Sequence, residues 1–267
     1  MELIEQIKQL ENVKKDGTNK VLSMYLNTDP SDPEQQAGEW KIHFKNGLRN
    51  FESYLEQSDD KEELKNFQLV KQKAEKYIHS NEQHLQRGVI LFASADESVW
   101  YATRVQMRLK TEFYWEETPQ LEQLKKLHDE FPKSGIILVQ QDQIKVMETA
   151  LNEILDTSYY QFDLDTDHWR QFTGPHKADA SMGSGGKSSQ QDEFKERYQA
   201  NRQRWYKKIA PKMDKLAKDH DWEKIYVIGE SDGSHELEEQ MNKPANQIIH
   251  KNMLDHEETE VLQTVFG

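Results

Sequence analysis

Residues 134–164, SGIILVQQDQIKVMETALNEILDTSYYQFDL, decide the fold. SGIILVQQ, QIKVMETA and TSYYQFDL are runs of strand length, apolar or alternating and rich in β-branched and aromatic residues, and short polar turns join them. That pattern predicts three successive strands and a sheet that begins as hairpins. Downstream, Thr173–Glu193, TGPHKADASMGSGGKSSQQDE, is polar and holds Gly174, Gly183, Gly185 and Gly186, four of the chain's twelve glycines. No helical or strand period absorbs it, so it reads as a long loop of the kind that is usually functional or disordered. Phe194, Tyr198, Trp205, Ile209, Met213 and Leu216 then recur at spacings of three, four or seven, one face of a helix. Pro211 lies inside that helix and should kink or end it. A strand, KIYVIGES, and short helices around 236–241 and 257–265 complete this half.

The far side of the predicted helix is basic. Lys195, Arg197, Arg202, Arg204, Lys207, Lys208, Lys212, Lys215 and Lys218 face two acids, Glu196 and Asp214, in a protein of net charge −13. A run of cations is ordinarily a solvated helix face. Here the sign contrast and the adjoining glycine-rich segment point to a surface for a polyanion.

With GSGGKSSQQDEF running into KERYQANRQRWYKKIA, the chain resembles the central domain of the archaeo-eukaryotic class I peptide chain release factors. The resemblance rests on Gly185, Gly186, Phe194, the basic helix and Lys208-Ile209-Ala210. It departs at Lys187, where the family carries glutamine, and about two extra residues separate that position from Phe194; Gln190 and Gln191 are the nearest amides. This spacing is similar to that of the bacterial relatives of these factors and of ribosome-quality-control tRNA hydrolases. The resemblance implies a ribonuclease H-like second domain, which also fits hairpins followed by a crossing helix and a returning strand. It further implies peptidyl-tRNA hydrolysis at the large ribosomal subunit, with no cofactor and no metal.

The chemistry suits such residues. Glycine-turn N–H groups can stabilise a developing oxyanion, and a planar amide both donates and accepts, as placing a water requires. Lysine has no acceptor. The implied catalytic group is therefore Gly185, Gly186 and either Gln190 or Gln191, which the sequence does not distinguish. Lys187, Lys195, Arg197, Arg202, Arg204, Lys207 and Lys208 are the implied nucleic-acid contacts.

Towards the amino terminus, Leu3–Val13 has helical spacing, KVLSMYLN reads as a buried strand, and Asp29-Pro30 and Asp32-Pro33 mark a turn. Helices are expected over about 36–58 and 61–79, strands at RGVILFAS and WYATRVQMRL, and a helix from Leu121 to the Phe131-Pro132 break. The expected architecture is α/β in two domains, residues 1–132 and 133–267. SMYLNTD and RGVILFAS resemble the amino-terminal domain of the same bacterial relatives. The Asn-Ile-Lys-Ser motif of stop-codon readers is not present, which argues for rescue or quality control over codon-specific termination. A third, GTPase-engaging domain is not expected either.

Composition excludes other classes. The chain has no cysteine, hence no disulfide or thiolate metal site. It shows no signal-peptide layout and no run of 18 apolar residues, so a cytoplasmic protein without membrane contact is expected. SMGSGGKS approaches a phosphate-binding P-loop, with Ser181 where the first glycine belongs, but polar sequence precedes it in place of a buried strand. His250, Asp255 and His256, and Asp142, Asp163, Asp165 and Asp232, have no metal-ligand spacing. Trp40 and Trp205, at helical spacing, are expected in cores.

Overall fold

The computed structural model describes residues 3–58, 60–163, 168–172 and 187–267; the side chains of 3–4, 36–37 and 187–200 lie outside the description. The chain divides into two compact units, Met1–Asp129 and Glu130–Gly267. The division precedes the Phe131-Pro132 break. Phe131 belongs to the second unit because its ring packs 5.6 Å from that of Phe266 and its carbonyl accepts from Leu151 N at 3.1 Å.

In the first unit, α1 (Leu3–Glu11) leads to β1 (Val21–Asn27), followed by α2 (Trp40–Glu56), α3 (Lys61–Asn81), β2 (Gly88–Ser94), β3 (Trp100–Val105), β4 (Glu112–Glu116) and α4 (Glu122–Glu130). The sheet order is β3-β2-β1-β4, with every neighbouring pair antiparallel. β4 and the end of the WYATRVQMRL run depart from the expected pattern. The strand stops at Val105, and the five residues EFYWE add an edge to β1. EFYWE is too short and too charged for its alternation to stand out, and its register with Val21–Tyr25 makes it a strand.

Alternate residues of β1 and β2 pack Leu22, Met24, Leu26, Val89 and Leu91 against Phe44 and Leu48 of α2 and Phe67, Val70 and Ala74 of α3. Trp40 is only partly buried and packs against this same core. Asp60 caps α3, its Oδ1 accepting from Glu62 N and Glu63 N at 3.1 and 2.9 Å, which satisfies two of the free amides at the helix start.

In the second unit, β5 (Ser134–Gln140), β6 (Gln143–Ala150), β7 (Glu153–Asp163) and β8 (His168–Phe172) precede α5 (Lys187–Asp219). β9 (Lys224–Gly229), α6 (Ser231–Gln240), β10 (Gln247–His250) and α7 (Glu258–Phe266) follow. The sheet runs β10-β9-β5-β6-β7-β8; β9 is parallel to both β5 and β10, and the other pairs are antiparallel. Leu151 and Asn152 both have positive φ, 47° and 56°, the two-residue hairpin geometry whose twist matches the strands it joins. This tight turn starts β7 at Glu153, ahead of the Thr157 suggested by pattern. β8 and β10 were not expected, because a five-residue polar strand and a four-residue one carry little periodicity of their own.

Two corrections concern the expected loop and helix. Residues 187–193 belong to α5, so the expected loop of 173–193 loses its last seven positions to helix; residues 173–186 lie outside the description. Nor does α5 end at Pro211. Pro211 is on the exposed side, while Ile209, Ala210, Met213 and Ala217 are buried against the sheet. That burial offsets a proline cost of about 3 kcal/mol.

Helices α5 and α6 cover one sheet face, over Ile137, Val139, Ile144, Val146 and Val227, and α7 covers Ile136, Leu138, Met147 and Ile228 on the other. At Gly135 a Cβ would lie 2.1 Å from Trp222 Cε3. Gly135→Ala should therefore displace the indole and destabilise this unit by about 1–3 kcal/mol, read as a lower urea midpoint with an unchanged slope.

Candidate nucleic-acid interface

Helix α5 is built to show one basic side. Trp205, Tyr206, Ile209, Ala210, Met213 and Ala217 are buried and Leu216 is partly so, which fixes the inward stripe. Arg204, Lys207, Lys208, Lys212, Lys215 and Lys218 fall at spacings of three and four on the opposite, exposed side. The acid within this stretch is turned to other use. Asp214 accepts from Asn242 N and Nδ2 and from Lys243 N, at 2.8–3.1 Å, and so anchors the link between α6 and β10.

Not every expected contact residue is available in the same way. Arg202 lies against α6, where Nε donates to Glu236 Oε2 at 2.6 Å and Nη2 to Glu236 Oε1. This forked ion pair holds α5 to α6. Lys212 Nζ sits 4.7 Å from the Tyr160 ring centre and donates to Gln171 Oε1 at 3.1 Å. Lys215 pairs with Asp219 one turn on. Arg204, Lys207 and Lys208 stay exposed on consecutive turns.

Gly185 and Gly186 lie outside the described residues. Lys187, Gln190, Gln191, Lys195 and Arg197 have a helical backbone within α5, and their side chains lie outside the description. Gln190 and Gln191 therefore stand in the first turns of a helix, not in a loop.

An aromatic clamp that the sequence did not reveal ties β8 to α5. Trp169 Nε1 donates to the Trp205 carbonyl at 3.0 Å. Phe162 stacks on Trp205, rings 4.1 Å apart and 24° inclined, and meets Trp169 edge-on at 5.3 Å. Trp205, 2% exposed, is thus core, as its helical spacing suggests. Only the i, i+2 spacing of Trp169 and Gln171 hinted at β8, and the clamp depends on β8 pairing with β7, which brings Phe162 opposite Trp169. β8 is an antiparallel edge strand, unlike the buried strand that leads into a phosphate-binding P-loop.

Among the described residues, no group of three or more His, Asp or Glu is placed to hold a metal ion. Asp142 instead meets Gln161 Nε2 at 3.4 Å, and burial raises its pKa. His256 pairs with Glu260 at 2.7 Å. No helix among the described residues is long and apolar enough to cross a membrane.

Residues 132–267, the second unit almost whole, match the model of bacterial archaeo-eukaryotic release factor family 5. The "Uncharacterized protein YocB" of Bacillus subtilis (strain 168) is 34% identical over 257 residues, spanning 96% of this chain and 95% of that one. Similarity to solved structures is shallow. A crystal structure of the archaeal translation termination factor aRF1 aligns with 98% of this chain and 72% of its own at 14% identity and a TM-score of 0.35. Another archaeal protein aligns at 13% identity and a TM-score of 0.33, over 98% of this chain and 69% of that one. The family match spans α5 and every strand of the second unit's sheet, and the chain belongs to family 5 of the bacterial archaeo-eukaryotic release factors.

Proposed function

We propose that the protein works in the cytoplasm on the large ribosomal subunit and hydrolyses peptidyl-tRNA during rescue or quality control. The observation that carries this reading is the family match over residues 132–267. The order β10-β9-β5-β6-β7, in which β5, β6 and β7 run successively antiparallel while β9 and β10 are parallel to β5, with β8 added beyond β7, supports a ribonuclease H-like central domain. The exposed stripe of Arg204, Lys207 and Lys208 supports phosphate contact, which supplies orientation and salt-dependent affinity. In this reading Gly185 and Gly186 offer backbone donors to the developing oxyanion. Gln190 or Gln191 places the water, and Lys187 holds the tRNA end by charge.

Lys187 in the position of the family's glutamine favours one rival, a ribosome or tRNA binder without hydrolytic activity. Release of labelled peptide from stalled large-subunit peptidyl-tRNA complexes separates the two. The double change Gln190→Ala, Gln191→Ala should lower release about a hundredfold or more while leaving binding intact. Lys207→Glu with Lys208→Glu should weaken binding and reduce its salt slope by about two. Salt-sensitive binding by the intact protein with no release at all sinks the hydrolase and leaves the binder. Loss of neither binding nor release in the charge-reversed protein removes α5 from the interface.

A further inference from the structure

The first unit's sheet ends in β3, WYATRV, which among the described residues pairs with β2 alone. The direction of its backbone groups follows from that pairing. Ser94 N donates to the Val99 carbonyl at 3.0 Å, so Val99 turns its backbone towards β2. Antiparallel pairing alternates. Tyr101, Thr103 and Val105 therefore also face β2, and Trp100, Ala102 and Arg104 present their N–H and C=O groups outward. The Arg104 carbonyl takes one long bond, 3.4 Å from Thr103 Oγ1, and keeps its second lone pair.

An edge of this kind is a template for another strand, and proteins ordinarily block it with proline, lysine, a bulge or a very short run. β3 has none of these. It is six residues long, without proline or lysine, and holds an unbroken register with Gly88–Ala93. Trp100, Ala102 and Arg104 share one face, the face of α3. Trp100 is 48% exposed and lies edge-on to Tyr77 at 6.1 Å. Ala102 packs on the core beneath α2 and α3, and Arg104 Nη1 donates to the His84 carbonyl at 3.0 Å.

This edge is its own complement. Two copies related by a two-fold axis through Ala102 pair antiparallel, the same patch serving both. Ala102 then meets Ala102 of the second copy, and Trp100 meets Arg104 of the second copy on each side of the axis. Every outward N–H and C=O of β3 finds a partner. The only charged side chain of the strand falls opposite an indole and not another cation, at the separation of about 5.5 Å between facing residues that cation–π attraction requires. A strand of some other protein would share the ladder but not this double match, which selects a second copy.

We propose that the protein self-associates through β3, joining two four-stranded sheets into one continuous sheet centred on Ala102. The inference concerns the first unit and is independent of the peptidyl-tRNA reading. The contact is short, so the dimer should be weak, with a Kd of about 10–100 µM.

Sedimentation velocity of the full chain from about 1 to about 500 µM tests it. The mass should rise with concentration from 31.5 kDa towards twice that value. Ala102→Pro, which an edge strand tolerates but which removes an outward donor, should weaken association about tenfold or more. The chain has no cysteine, so single cysteines report the register. Under mild oxidation Ala102→Cys should form an intermolecular disulfide, its two copies facing each other at about 5.5 Å. Thr103→Cys should not, because its copies lie diagonally, about 7–8 Å apart. A monomer at the highest concentration, association undiminished in folded Ala102→Pro, no disulfide at residue 102, or one at residue 103 in equal or greater yield overturns the proposal. The concentration series and the cysteine pair stand even if the proline variant fails to fold.

Discussion

Trp205→Ala should destabilise the second unit by about 3–5 kcal/mol, the range for removing a large buried aromatic side chain. Trp205 is 2% exposed, and its ring stacks on Phe162 at 4.1 Å. The substitution leaves a cavity between α5 and β7, and the surrounding sheet can close it only in part. It also loosens the seat of Trp169, whose Nε1 donates to the carbonyl of residue 205. Urea unfolding followed by far-ultraviolet circular dichroism measures the loss. Trp169→Phe, which removes that one hydrogen bond and part of the ring, should cost about 1 kcal/mol. In a double-mutant cycle the two changes should couple, because the residues touch. Additive effects would show that β8 is not held to α5 by this clamp. β8 leads into residues 173–186 and α5 leaves them, and the clamp ties Trp169 of β8 to Trp205 in the body of α5.

Arg87→Met should cost the first unit about 2–3 kcal/mol at neutral pH, and the loss should shrink in acid. Asp29 is 2% exposed, and its Oδ2 takes two bonds from Arg87, from Nε at 2.8 Å and Nη2 at 2.6 Å. Ser31 N and Oγ donate to the other oxygen at 2.9 and 2.7 Å. Burial pushes this carboxyl up, but the Arg87 guanidinium and Ser31 pull it down further, to about 2. Removing Arg87 leaves a buried carboxylate short of its counter-charge, which costs several kcal/mol for fully enclosed pairs. Arg87 is itself half-exposed, so water reduces that figure.

The sign with pH is fixed by the lowered pKa. Stability contributed by Asp29 is fully present above its unfolded value near 3.9 and disappears as pH falls through about 2. The unaltered protein should therefore lose about 2–3 kcal/mol from this site between roughly pH 5 and pH 1. Arg87→Met should show a much smaller acid loss. Urea midpoints of the two proteins across that range decide the matter, and parallel curves would mean that the ion pair contributes nothing.

Chain-local properties could be read from the sequence: the hairpin strands β5 and β6, the helices α2, α3 and α5, and the basic side of α5. Each follows from a period in its own residues, because which side chains share a face depends only on backbone geometry. The family resemblance was equally legible, resting on Gly185, Gly186, Phe194 and the helix behind them. The short strands β4, β8 and β10 were not legible. Four or five residues carry too few repeats, and each becomes a strand because a longer neighbour offers it a ladder. Pro211 forecast a helix end from a local cost, which burial of Ile209, Ala210, Met213 and Ala217 overrides.

The same division runs through the candidate site. Charge type and spacing come from sequence, so a basic stripe was foreseeable. Which cations remain outward was not, because Arg202 meets Glu236 from another helix and Asp214 is drawn to Asn242 and Lys243. Nor could the clamp of Phe162, Trp169 and Trp205 be read from order along the chain. Contact and burial between residues distant in sequence are properties of the packed chain, and only the tertiary structure decided them.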